Sequence, residues 1–386
     1  MAEPRGSTGC ARRAAIVLAA AGAGALLVLA AALVGDRRVG DRFDLVRWER
    51  DTVAGKWLYR LGAPFRDDPA ADDAVARYFA APADSADRRR LENTVEAALN
   101  GRIDAAVRAR GLHGAVPVPG SVFPPVNVEL TQPPRVLVQS PRARIERSST
   151  ALLRPDLTAA EAVEVERADE AAHPDRSSLV VGAGGVAAYP AIVSSNERYE
   201  DTVATAAHEW THHYLTFYPL GRAYFGSRDA VAINETVADI VGAEIAADVV
   251  ARWATPAAGA ASTPAPTPTP SGTPSPPRVD VNAVLRDLRR EVDGMLAAGQ
   301  VEAAEARMEA VRQQLWDGGY RIRRINQAYF AWYGSYAARP DATDPLGAQL
   351  REVRERSGSL ATFLEAIRAV TSRREVVALL DRLRAG

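Results

Sequence analysis

Two short motifs, with Glu235 of the second 23 residues after His212 of the first, constrain this chain more than anything else in it. His208-Glu209-Trp210-Thr211-His212 sets two histidines four positions apart. On a helix, that spacing brings both imidazoles out on one face about one turn apart. Both can then bind one metal ion, with Glu209 next to the first histidine and angled towards a water on that ion. Three of the chain's five histidines fall within residues 208–213, which makes chance placement on a bland helix a poor explanation. The second motif, Asn234-Glu235-Thr236-Val237-Ala238-Asp239, is expected on the following helix, with Glu235 and Asp239 on a shared face. A short antiparallel return through turns at residues 219–221 and 226–227 would carry Glu235 over the histidine pair. Two imidazoles and one carboxylate leave a tetrahedral zinc with one position open for water, the arrangement of a catalytic site. Asp239 can take the N–H of a liganding histidine and so set its tautomer, and Asn234 is the other residue expected behind the ligands.

The rest of the composition narrows the field mainly by exclusion. The chain has 386 residues, 47% hydrophobic and 25% charged, which is the balance of a folded globular protein. The formal net charge of −1 offers no electrostatic case for nucleic acid as a partner. A single cysteine, Cys10, excludes an intramolecular disulfide and every site built on several thiolates.

Residues 14–35 form an unbroken run of small and apolar side chains, AAIVLAAAGAGALLVLAAALVG. As a helix it would be about 33 Å long, enough to cross a bilayer core of about 30 Å. Cleaved signal sequences have shorter apolar cores of about 7–15 residues, so the expectation is an uncleaved signal anchor. Arginines lie on both sides of the run, and a count of them alone would keep the large domain inside. A short tail before a single span usually stays in the cytoplasm, so the expected localisation is a single-pass membrane protein with an extracytoplasmic catalytic domain.

The expected organisation has six parts. Residues 1–13 are an N-terminal tail, 14–35 the transmembrane signal anchor, and 36–115 a helical juxtamembrane region. Residues 116–254 are the zinc-binding catalytic core and 281–386 a C-terminal helical subdomain. Between these two, 255–280 is a disordered linker rich in Pro, Thr and Ser; its 255–277 stretch holds eight prolines and no charge, so it can neither bury a core nor sustain a helix. Short strands are expected near 126–130, 135–139, 143–148, 178–181 and 186–193. Helices are expected over 158–172, where Thr158 and Glu161 form a capping box, and over 201–217 and 229–253. After the linker a helical hairpin is expected at 281–296 and 301–316, followed by helices near 325–337, 344–355, 360–370 and 374–384. The expected fold class is α+β: an N-terminal membrane helix, a small mixed sheet leading into a two-helix zinc site, and a mostly helical C-terminal subdomain.

HEWTH followed by NETVAD resembles the gluzincin metallopeptidases, whose thermolysin branch carries HExxH followed by NExxxD. The resemblance covers residues 178–246. It implies zinc (Zn2+) as cofactor, held by His208, His212 and Glu235, with Glu209 as general base acting on a zinc-bound water and Asp239 behind a histidine ligand. The implied partner is a peptide or protein substrate, and the implied activity is peptide-bond hydrolysis. In gluzincins an edge strand before the active-site helix holds the peptide, and GAGGVAAYPAIVSS, residues 182–195, occupies that place. The aminopeptidases of the group carry an amine-anchoring glutamate in this strand, where Val186, Ala187 and Ala188 stand here, and this departure favours an endopeptidase. No histidine follows His213, so the oxyanion donor of thermolysin is missing. Tyr329 and Tyr333, with Tyr320 and Tyr336, are the candidates for that role, although an aromatic stripe at helical spacing is more often core. Two other readings stand beside the peptidase. One is an inactive zinc-containing surface protein that binds a partner; the other is a zinc amidase acting on a cell-wall component. The sequence leaves the oligomeric state open.

Overall fold

The computed structural model describes residues 41–49, 52, 69–82, 85–114, 120–253, 280–334 and 345–385. After a helical segment at 45–49 come two longer helices, α1 (Pro69–Ala80) and α2 (Ala86–Ala109), the second capped by the Ser85 side chain, which accepts from Arg88 N–H. Strands β1 (Val128–Thr131), β2 (Arg135–Pro141) and β3 (Ser149–Leu153) lead to α3 (Ala159–Ala172). Here Thr158 and Glu161 do form the reciprocal capping box. Then come β4 (Arg176–Gly182), β5 (Gly185–Val186) and β6 (Ala191–Ser194), followed by α4 (Tyr199–Thr216), the one-turn α5 (Pro219–Arg222) and α6 (Arg228–Arg252). The remaining helices are α7 (Val281–Ala297), α8 (Val301–Asp317), α9 (Gln327–Tyr333), α10 (Leu346–Arg356), α11 (Leu360–Ile367) and α12 (Arg373–Ala385).

The strands make two three-stranded sheets rather than one. One is mixed, in the order β1-β6-β5, with β1 parallel and β5 antiparallel to β6. The other is antiparallel, in the order β3-β2-β4. The strand expected at 143–148 is a connection instead: Gln139 pairs with Ser149, and after β2 ends at Pro141 residues 142–148 turn the chain into β3. The alternation of Ala143 and Ile145 with charged residues imitates a strand there without a partner to pair it.

The two largest cores lie on different elements. In the larger one, α6 presents Ile233, Val237, Val241, Ile245 and Val249, all completely buried, at successive four-residue steps. This stripe packs with Val203, Ala207 and Trp210 of α4, with Leu99 and Ile103 of α2, and with Leu350, Phe363 and Leu380 from the last three helices. The second core lies on the antiparallel sheet. By the strand period of two, Val136, Val138, Leu179 and Val181 face α7, α8 and α9, while Leu137, Leu153 and Val180 face α3. The chain after the linker therefore divides: α7–α9 cover the second sheet, and α10–α12 complete the first core around α6.

The expected membrane-crossing helix is corrected. No helix of the described residues is long and apolar enough to cross a membrane. The longest, α2 and α6 with 24 and 25 residues, are interrupted by charges; α6 alone carries Glu235, Asp239, Glu244 and Asp248. Residues 14–35 lie outside the described residues, as does the proline-rich stretch 254–279. The single-pass membrane localisation, which rested on 14–35, is corrected with it, and the fold class reduces to a mostly helical protein with two small sheets.

The approach of α4 to α6 depends on Gly242. A Cβ there would lie 2.8 Å from the Ala204 carbonyl oxygen and 3.2 Å from the His208 Cβ. Gly242→Ala is expected to push the helices apart and cost about 1–3 kcal/mol. A lowered melting temperature is the expected result; an unchanged melting temperature would show that the helices can give way without loss.

Candidate metal centre

Strand β6 runs directly into α4, and a connection containing α5 turns the chain back into α6, whose N-terminus is capped by the Ser227 hydroxyl accepting from Ala230 N–H. Antiparallel packing of α4 on α6 brings the two motifs together. His208 Nε2 and His212 Nε2 approach to 3.0 Å. Glu235 Oε2 lies 3.5 Å from the first and 3.6 Å from the second. A tetrahedral zinc with donors at about 2.0–2.1 Å spaces them about 3.3 Å apart, so these three atoms can share one ion. They also form one of the two groups of potential metal ligands among the described residues.

The second ring nitrogens are fixed from outside the triad. His208 Nδ1 donates to Asp239 Oδ1 at 3.0 Å, and His212 Nδ1 donates to Asn234 Oδ1 at 2.7 Å. Each Nε2 is thereby left to face the shared point, as liganding histidines require. The Tyr224 phenol donates to Glu235 Oε1, which leaves Oε2 for the imidazoles. The Arg147 guanidinium lies beside that phenol, and burial together with Glu235 pushes the phenol's pKa up.

Glu209 is buried, and its carboxylate fills the space a side chain at residue 185 would need: a Cβ on Gly185 would meet Glu209 Oε1 at 2.5 Å. Burial pushes the Glu209 carboxyl above its ordinary value, with His208 and His212 opposing and Glu235 and Asp239 adding to the rise. Burial also acts against the Glu235 charge, but the two histidines overcome it and hold that carboxyl well below the ordinary range. Asn234, Glu235 and Glu209 are polar groups inside an apolar helix pair, a costly placement unless each has a partner. The donor set suits zinc: two imidazoles and one carboxylate, each oriented by a further hydrogen bond.

The remaining sequence candidates separate. The Tyr329 and Tyr333 rings meet in a tilted contact, centroids 4.7 Å apart, within the second core, among Val136, Val138 and the α7–α8 hairpin, so the stripe is built into packing. The tyrosine that reaches the triad is Tyr224, which the motifs did not single out. Its signal was its place between His212 and Glu235, on the return that joins the two helices. Tyr336 lies outside the described residues. His213 is fixed by its Nε2, 2.7 Å from the Ala188 carbonyl oxygen, and burial lowers its pKa to about 4. No family model, no curated protein and no solved structure matches this chain.

Burial resists a charge on His208, but hydrogen bonds to Asp239 and Glu235 outweigh it and hold the imidazole well above its ordinary value. In the metal-free protein that proton stabilises the fold. Its contribution is complete below about pH 6.5 and is lost as pH rises through the raised value. A metal ion held at this point would take the proton's place, so its binding would release the proton. Zinc affinity is therefore expected to fall about tenfold per unit of decreasing pH below that value, one proton being displaced. Competition with a chelator at about pH 6, 7 and 8 would measure this, and a flat profile would contradict it. Asp239→Ala removes the acceptor behind His208 and is expected to weaken zinc about 10–100-fold in the same titration.

Proposed function

We propose that this protein is a zinc-dependent peptidase, with Glu209 as general base. The observation carrying the proposal is the convergence of His208 Nε2, His212 Nε2 and Glu235 Oε2 within 3.6 Å of one another, beside a buried glutamate that ligand geometry does not require. A bound zinc supplies a Lewis acid that acidifies water and polarises a carbonyl. The chain's own residues do the rest. Glu209, its pKa raised by burial, accepts a proton at its carboxylate and returns it to the departing nitrogen. Tyr224, through its hydrogen bond to Glu235 Oε1, holds that carboxylate in place.

A peptide is favoured over other amides by the neighbouring sheet. In the order β1-β6-β5, strand β5 is an edge, and its Gly185 lies against the Glu209 carboxylate. An extended peptide can add to such an edge through backbone hydrogen bonds, which would lay its carbonyl beside the base.

Glu209→Gln keeps the shape and the metal ligands but removes the base. It is expected to retain about one zinc per chain by elemental analysis and to lose turnover by about 10²–10⁴-fold. Hydrolysis at the parental rate would remove Glu209 from the mechanism.

A further inference from the structure

Glu197 stands two residues before α4, yet it does not cap that helix: the N-cap is Arg198, and it makes no side-chain capping bond. Glu197 instead lies along the helix flank, where the Thr205 hydroxyl donates to its Oε2 at 3.3 Å. Its Oε1 faces Gly184, and a Cβ built on Gly184 would sit 3.7 Å away in ordinary contact. The adjacent cation, Arg198, is taken by Asp201 at 2.8 Å. Among the described residues no arginine, lysine or histidine forms an ion pair with Glu197. Burial raises its pKa, the Thr205 bond opposing and Asp201 adding to the rise. A half-buried carboxylate held by a single hydroxyl is incompletely compensated, and a cation brought by a ligand would complete it.

Its place relative to the base gives this meaning. Thr205 and Glu209 are four residues apart on α4, so they share a face about one turn apart. Gly184 abuts Glu197 and Gly185 abuts Glu209. Two carboxylates thus border consecutive residues at the start of the β5 edge.

We propose that Glu197 is a specificity-determining residue that binds a cationic group of the substrate, an ammonium or guanidinium, about one helical turn from the catalytic base. The proposal rests on the peptidase reading above. The cation has two sources, the free α-amine of a short peptide or a lysine or arginine side chain.

Four fluorogenic peptides separate these sources, with a free or acetylated N-terminus crossed with arginine or glutamine beside the scissile bond. On the full-length zinc-loaded chain, the cation-bearing member of one pair is expected to have a kcat/KM about tenfold higher, carried by KM. The discriminating pair identifies the source. Glu197→Gln is expected to collapse the ratio to within about twofold with zinc content retained, and Glu197→Lys to invert it. Equal cleavage within both pairs by the parent, or a ratio that survives Glu197→Gln, overturns the proposal. If the parent cleaves none of the peptides, the peptidase reading fails separately. The same peptides titrated by fluorescence anisotropy onto zinc-loaded Glu209→Gln then decide the matter. Tighter binding of the cationic peptide that is lost on adding Glu197→Gln supports the proposal, and equal binding overturns it.

Discussion

The centre of this protein poses one electrostatic problem, the burial of ionisable groups between two apolar helices. Glu209 and Glu235 are almost completely buried, and the two imidazoles facing them are nearly so. Such groups can stay there only if each charge is met by a partner, because desolvation alone would neutralise them or force the helices apart. The partners come in layers. The imidazoles meet Glu235; Asp239, Asn234 and Tyr224 meet the imidazoles and the carboxylate from behind. A divalent cation at the shared point would complete the set by supplying positive charge where three electron-rich atoms converge.

The fold supplies the rigidity that this arrangement needs. The α6 stripe from Ile233 to Val249 is locked against α4, α2 and the last three helices, so the ligand carboxylate sits on a helix held from several sides. Arg354 and Arg110 add hydrogen-bonded ion pairs to Glu244 on the same helix, joining α10 and α2 to it. The antiparallel sheet and its α7–α9 cover form a second core with little share in the triad. The α9 aromatic stripe belongs to that core. Its Trp332 ring nevertheless lies under Arg147, the residue beside Tyr224, which links the second core to the edge of the centre.

Local patterns survived into the structure where the physics is local. The HExxH spacing specifies one face of one helix, and the Thr158–Glu161 capping box closes within four residues. Both follow from helical geometry alone. The strand expected at 143–148 failed because alternation says nothing about whether a partner is available, and register places those residues in a connection. The aromatic stripe meets the same limit: Tyr329 and Tyr333 have the chemistry of oxyanion donors, but chemistry does not say which core a helix face enters, and theirs enters the second. Tyr224 escaped notice because it belongs to no motif and gains its role only when the return between α4 and α6 folds over Glu235.

The sequence by itself determined the donor types, their helical spacing and the pairing of two motif helices, since these depend on contacts within a few residues or on a short return. Tertiary structure decided what lies across those helices. It set Gly242 where α4 and α6 can close, pressed Gly185 against the base, divided the C-terminal helices between two cores and left the Glu197 carboxylate beside the sheet edge. These are contacts between residues distant in the chain or on different elements, and they depend on packing distances that no local pattern encodes.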